Sequence, residues 1–144
     1  MLVQQILGSK ANGGVLSVKP TDSVYDAIKL LSEKRIGSVV VSANGESLDG
    51  ILSERDVVRE LGRRGPAVLA EPVSALMTAK IVTCNETDSA DQILQMMTDG
   101  RFRHLPVMRG GKLIGLISIG DVVKARLSEL SMEKNALEGM IMGY

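Results

Sequence analysis

The stretch Gly50-Ile51-Leu52-Ser53-Glu54-Arg55-Asp56 reads as a short apolar run that ends in a Ser-x-x-Asp helix start. It returns 65 positions later as Gly115-Leu116-Ile117-Ser118-Ile119-Gly120-Asp121. The match extends on both sides, with Leu48, Val57 and Val58 answered by Leu113, Val122 and Val123. Further upstream Thr21, Asp22 and Ser23 recur as Thr87, Asp88 and Ser89, and Arg35 and Val41 as Arg101 and Val107, now 66 positions apart. The single residue lost between the two blocks falls in the turn Asn44-Gly45-Glu46-Ser47, against Arg109-Gly110-Gly111-Lys112, where a hairpin tolerates a change of length. Two copies of this size are too long and too few for a solenoid, so the chain reads as a duplicated supersecondary unit closing on itself.

Each copy parses in the same order. Val15 to Lys19 is β-prone; the cap residues Thr21 to Ser23 precede a helical face of Val24, Ala27, Ile28 and Leu31. Ile36 to Ser42 and Leu48 to Ser53 form a hairpin across Asn44-Gly45, and Glu54 to Leu61 is a helix stopping near Gly62. In the second copy a strand near Ile81 to Cys84 leads to a helix over Ser89 to Asp99. The hairpin strands Arg103 to Met108 and Lys112 to Ser118 follow, and then a helix from Gly120 onward. The fold class is therefore α/β (α+β), two β-α-β-β-α units. Residues 1–64 read as the first unit with an N-terminal helix over Leu2 to Leu7, 65–76 as a linker with a helical turn over Val73 to Met77, 77–130 as the second unit, and 131–144 as a helical tail. The apolar stripe of the last helix, with Leu127, Leu130, Leu137 and Met132, Met140 and Met142, reads as core or dimer seam rather than a cofactor site.

Composition excludes several classes of chemistry. The 144 residues carry 17 Lys+Arg against 17 Asp+Glu, which gives no cationic excess for general nucleic-acid or polybasic membrane binding. Cys84 is the only cysteine and His104 the only histidine, so intrachain disulfides, thiolate clusters and multi-histidine zinc sites are out. No segment looks like a signal peptide or membrane span, and a reducing, cytoplasmic home is the expectation. Aromatics make up 2% of the chain, so the core must be aliphatic.

With the repeat established, the chain resembles the CBS-domain pair, or Bateman module, of the stand-alone bacterial type. The resemblance rests on the order of elements, the connector "VSALMTAKIVTC", the two Gly-to-Asp stretches quoted above, and the "RFRHLPV" and "SIGDVVK" segments. It implies two repeats packed about a pseudo-twofold axis, with a cleft that binds adenine nucleotides such as AMP, ADP, ATP, S-adenosylmethionine or NAD(H). For this type AMP and NADH are the expectation.

The implied site residues have matching chemistry. Ser53 and Ser118 stand at strand-to-helix junctions beside free amides, and glycine before them allows close approach to a ligand. Asp56 and Asp121 can each accept two ribose hydroxyls. Arg101, Arg103 and His104, beside Pro106, form a basic cluster fit for phosphate, and Arg55 reaches across from the other copy. Thr83 and Ser17 lie where the family reads adenine. His104 and Pro106 match the family pattern while Ser38 and Val40 depart from it, so Asp121, Ser118, His104, Arg103 and Thr83 are the stronger expected site. With so few aromatics, adenine is expected between Val, Ile, Leu and Met side chains. A competing reading stays open: Ser-x-x-Asp is also a capping box that binds nothing, and Arg101 and Arg103 also suit a helix end.

Three functions compete. A regulatory module, a homodimer sensing energy or redox state for an unidentified effector protein, leads. An enzyme using His104 or Cys84 lacks a triad-like constellation. A structural dimerisation or adaptor module would leave the cleft empty. Membrane and nucleic-acid partners are not expected.

Overall fold

The computed structural model describes residues 1–10 and 15–142 of the chain. After a short helix α1 (Val3–Ser9), the first copy runs β1 (Ser17–Val18), α2 (Val24–Lys34), β2 (Ser38–Val41), β3 (Gly50–Ser53), α3 (Glu54–Arg64). The second runs β4 (Cys84–Asn85), α4 (Ala90–Gly100), β5 (His104–Arg109), β6 (Lys112–Ser118), α5 (Ile119–Met142). Between them lie two 3-10 turns, Pro66–Ala70 and Val73–Ala75. Each copy makes its own three-stranded sheet, β1-β2-β3 and β4-β5-β6, with the first strand parallel to the middle one and the hairpin antiparallel. The duplicated unit expected from the repeat is thus present twice, about a pseudo-twofold axis.

Local chemistry explains the boundaries. Ser23 caps α2 by accepting from the Asp26 amide at 3.1 Å, and Ser89 and Gln92 close a full capping box on α4. One face of each helix is buried, Val24, Ala27 and Leu31 in α2 and Ala90, Ile93 and Met97 in α4. The Asn44 side-chain oxygen accepts from the amides of Glu46 and Ser47, which fixes the hairpin turn with Gly45 at φ +82°. Two expectations shift. Helix α3 passes through Gly62 and ends at Gly65 (φ +78°), because Glu60, bonded to Arg63 and Arg64, spans the weak position and only Gly65 makes the left-handed turn. The strand expected over 81–84 begins only at Cys84, since its parallel ladder to β5 is two residues long.

The larger correction concerns which segment packs where. Helix α1 does not join the first unit: Val3 and Ile6 are buried with Ile93, Leu105, Ile117 and Val122 of the second. The amides of Val3 and Gln4 donate to the carbonyls of Asp88 and Glu86, each at 2.9 Å. The connector makes the reciprocal contact, with Val68, Val73 and Leu76 filling the core of the first unit around Val24, Leu52 and Val57. Thr78 then pairs with Ile51 in both directions, at 2.9 and 2.8 Å. Each unit is therefore completed by the segment that leads into the other. Helix α5 runs past residue 131 without a break, as one helix of 24 residues.

The two repeated glycines exist for this exchange. A Cβ on Gly50 would lie 2.6 Å from the Met77 sulfur and 3.0 Å from the Thr78 carbonyl; one on Gly115 would lie 2.7 Å from a Leu7 methyl. The close approach that these glycines permit here is to protein. Both cores are aliphatic, as the composition requires: among the described residues the fully buried side chains include no aromatic, and Phe102 only packs against the second core. Gly50→Ala is expected to destabilise the protein by roughly 1–3 kcal/mol, since the Thr78 carbonyl is anchored to Ile51. Gly115→Ala should cost less because the Leu7 side chain can rotate away; urea denaturation of the two variants ranks them.

Candidate functional site

Two clefts lie between the units, one on each side of the pseudo-twofold axis. The first, about 360 Å³, takes its floor from Ser53, Glu54, Arg55 and Asp56 at the start of α3 and its roof from Arg101, Phe102, Arg103 and His104 ahead of β5. Ile51, Ile81 and Val82 line its apolar side, and Lys80 adds a further cation. The second, about 460 Å³, pairs Ser118 and Asp121 at the start of α5 with Arg35 to Ser38 of the first unit. Lys10, Leu16 and Leu116 complete its walls. Both volumes are in the range of small-molecule sites.

The sequence-expected residues are redistributed by this geometry. Arg101 and Arg103 share a cleft with Asp56 and Arg55, not with Asp121, because each cleft joins the helix start of one unit to the helix end of the other. His104 lines both. Three expected residues line neither: Thr83 is exposed just beyond Ile81 and Val82, Ser17 pairs with Val40 in β1, and Pro106 is buried in the middle strand β5. Phe102 puts an aromatic ring on the first cleft, so the expectation of purely aliphatic walls holds only for the second. Its ring lies against Gly100, where a Cβ would come within 1.9 Å of it.

Several residues that sequence reasoning passed over line the clefts: Lys10, Lys80, Arg35, Glu54 and Phe102. The signal for three of them was the duplication itself. Arg35 answers Arg101, and Lys10 answers Lys80 as Leu7 answers Met77, at a spacing of 70 in the exchanged segments. Arg35 and Arg101 both end their helices in the left-handed region, at φ +53° and +57°. Non-glycine residues hold such backbone at a cost of about 1–3 kcal/mol, and here each turn delivers a guanidinium to a cleft.

The aspartates are already engaged. Asp56, almost fully buried, accepts from the Ser53 amide and hydroxyl through Oδ2 and from Arg59 through Oδ1, so its capping box is complete. Asp121 Oδ2 accepts from the Ser118 amide and from Lys10 Nζ, both at 2.9 Å; among the described residues no donor reaches its Oδ1. Burial opposes the Asp121 charge, but Lys10 and the Ser118 bonds outweigh it and hold the carboxyl below its usual value. Cys84 lies in the second core with its thiol pushed up to about 12, chiefly by burial and further by Asp88. A thiol so protonated is no nucleophile at neutral pH.

A family model for the CBS domain matches residues 10–63 and 73–128. The chain is a tandem pair of CBS domains. A curated relative, the mitochondrial CBS domain-containing protein CBSX3 of Arabidopsis thaliana, is 36% identical over 98% of this chain and 70% of its own length. The crystal structure of CBS-domain protein ATU1752 from Agrobacterium tumefaciens is 42% identical, with a TM-score of 0.82 over 88% of this chain and 99% of that one. A structure described as CBSX2 in complex with AMP is 30% identical, with a TM-score of 0.72 over 88% of this chain and 96% of that one. Among the described residues no helix is long and apolar enough to cross a membrane.

At the axis of the CBS pair, Ser38 Oγ meets His104 Nδ1 at 3.0 Å, and these two residues occupy equivalent positions in the two domains. Burial lowers the His104 pKa from its ordinary 6.5; Lys10 and Arg103 push the same way, while Asp121 and Glu54 oppose. The unfolded chain therefore binds this proton more readily than the fold does. Stability is fully present above pH 6.5 and declines as pH falls below that value. The melting temperature should drop between pH 7 and pH 5, and His104→Gln should flatten that slope; an unchanged slope contradicts the assignment. Losses tied to Asp121 come separately, below its ordinary value of 3.8.

Proposed function

We propose that this CBS pair is a regulatory module that binds an adenine nucleotide of the AMP, ADP, ATP or NADH type and reports energy or redox state to an effector protein as a cytoplasmic homodimer. One observation carries the reading. Four cations, Arg55, Lys80, Arg101 and Arg103, line a cleft together with the apolar side chains of Ile51, Ile81, Val82 and Phe102. Two carboxylates, Glu54 and Asp56, leave that cleft with a cationic excess, although the whole chain has none. The guanidinium groups can bind a phosphate bidentately, the apolar side chains suit a base, and Ser53 and Asp56 in the same lining have the chemistry to meet a ribose. The AMP complex of a relative at 30% identity supports the same ligand class.

The second cleft is the lesser candidate, with Ser118 and Asp121 for ribose and Arg35 for phosphate. Lys10 already holds one Asp121 oxygen there, so a ribose must displace it or use Oδ1. The module is proposed as a binder rather than an enzyme, since His104 is tied to Ser38 and Cys84 is in the core. The adaptor reading has one observation in its favour: the capping bonds already made by Asp56 and Asp121.

Calorimetric titration of AMP, ADP, ATP and NADH separates the two. Arg103→Gln, which removes a charge-assisted bond of about 1.5–3 kcal/mol, should weaken nucleotide binding by roughly 10- to 100-fold. Asp121→Asn should leave the first-cleft affinity unchanged. Absence of binding by all four at millimolar concentration leaves the adaptor.

A further inference from the structure

Helix α5 has its last buried residue at Ala125, is held to the body as far as Glu129 by the ion pairs of Arg126 with Asp91 and of Glu129 with the N-terminal amine, and continues to Met142. Val123, Leu127, Leu130, Leu137 and Ile141 along it are exposed by 41 to 84%. Their spacing is 4, 3, 7 and 4, and Lys134 fills the gap, so positions 123 to 141 form an unbroken a/d series of a heptad repeat. Such a seam spans about 27 Å of helix and satisfies nothing within the monomer.

We propose that this seam pairs with the same helix of a second copy in antiparallel orientation, centred near residue 132. The charges choose both the partner and the direction. In a parallel pair Lys134 would face Lys134, and Glu133 would flank Glu138 on both sides, like against like. In an antiparallel pair Lys134 lies over Leu130, Leu127 over Leu137 and Val123 over Ile141. Lys124 then flanks Glu138 twice. Glu133 meets its own copy at the centre, so the reversed pairing sets two opposite-charge contacts against one like-charge contact, whereas the parallel pairing has like-charge contacts alone. Antiparallel pairing also sets the two globular bodies at opposite ends of the seam, where they do not compete for space. The bond between Lys134 and Glu138, 3.9 Å within one helix, keeps the lysine head at the seam's edge while its stem packs.

This deepens the homodimer part of the proposed function and is independent of the nucleotide. Sedimentation equilibrium of the full chain at high micromolar concentration should give a dimer. The exposed double substitution Leu130→Asp/Leu137→Asp should give a monomer with unchanged helical circular dichroism and unchanged nucleotide titration. Lys124→Glu alone and Glu138→Lys alone should each weaken the dimer by roughly three- to tenfold at low salt, and the two together should restore it. In a parallel pair residues 124 and 138 are about 21 Å apart along the axis, and no restoration would occur. A monomeric wild type overturns the dimer itself. A dimer that survives the double aspartate overturns only this seam, and failure of the charge reversal to restore overturns the antiparallel direction.

Discussion

Gly50 and Gly115 mark the constraint on which the rest of the molecule depends. A sheet of three strands with two helices cannot cover its own hydrophobic face, and units of this size bury too little surface to be comfortably stable alone. Each CBS domain here is closed by a segment that belongs, in the order of the chain, to the other one. The connector lies across Gly50 and the N-terminal helix across Gly115, at distances where a methyl group would collide. Because the exchange is reciprocal, the two domains cannot drift apart without exposing both cores.

The clefts follow from that closure. Exchanged segments bring Lys80 over the start of α3 and Lys10 over the start of α5, and the pseudo-twofold brings each helix start to face the opposite domain's left-handed arginine. Equivalent positions then diverge in chemistry. Where the first domain has Glu54 and Arg55 the second has Ile119 and Gly120, and where the second has Phe102 and Arg103 the first has Ile36 and Gly37. One fold therefore holds a strongly cationic cleft with an aromatic wall and a smaller-charged one that is aliphatic. The Ser38 to His104 bond sits on the axis between them, and both of its residues line both clefts.

The repeat, the order of elements and nearly every cap were legible in the sequence, because they are local: Ser23, Ser89 and Asn44 act on amides two or three residues away. The capping role of Ser53 and Ser118 was equally visible. What was not legible is long-range pairing. Nothing in the N-terminal residues says that Val3 and Ile6 pack on Ile93 and Val122, so α1 was assigned to its neighbour in sequence. The same blindness grouped Arg101 and Arg103 with Asp121, their companions in the second copy, although the pseudo-symmetry crosses each helix start to the other domain. Thr83 illustrates a smaller miss: the segment was right, but Ile81 and Val82 turn into the cleft and Thr83 faces solvent.

The central claim is that reciprocal closure builds a cationic cleft that takes an adenine nucleotide by its phosphate. A crystal structure of the protein grown with AMP addresses this most directly. The account predicts the phosphate within hydrogen-bonding distance of Arg101 and Arg103, with the adenine against Phe102 and Val82. Electron density for AMP in neither cleft, or a phosphate turned away from both arginines, would contradict it.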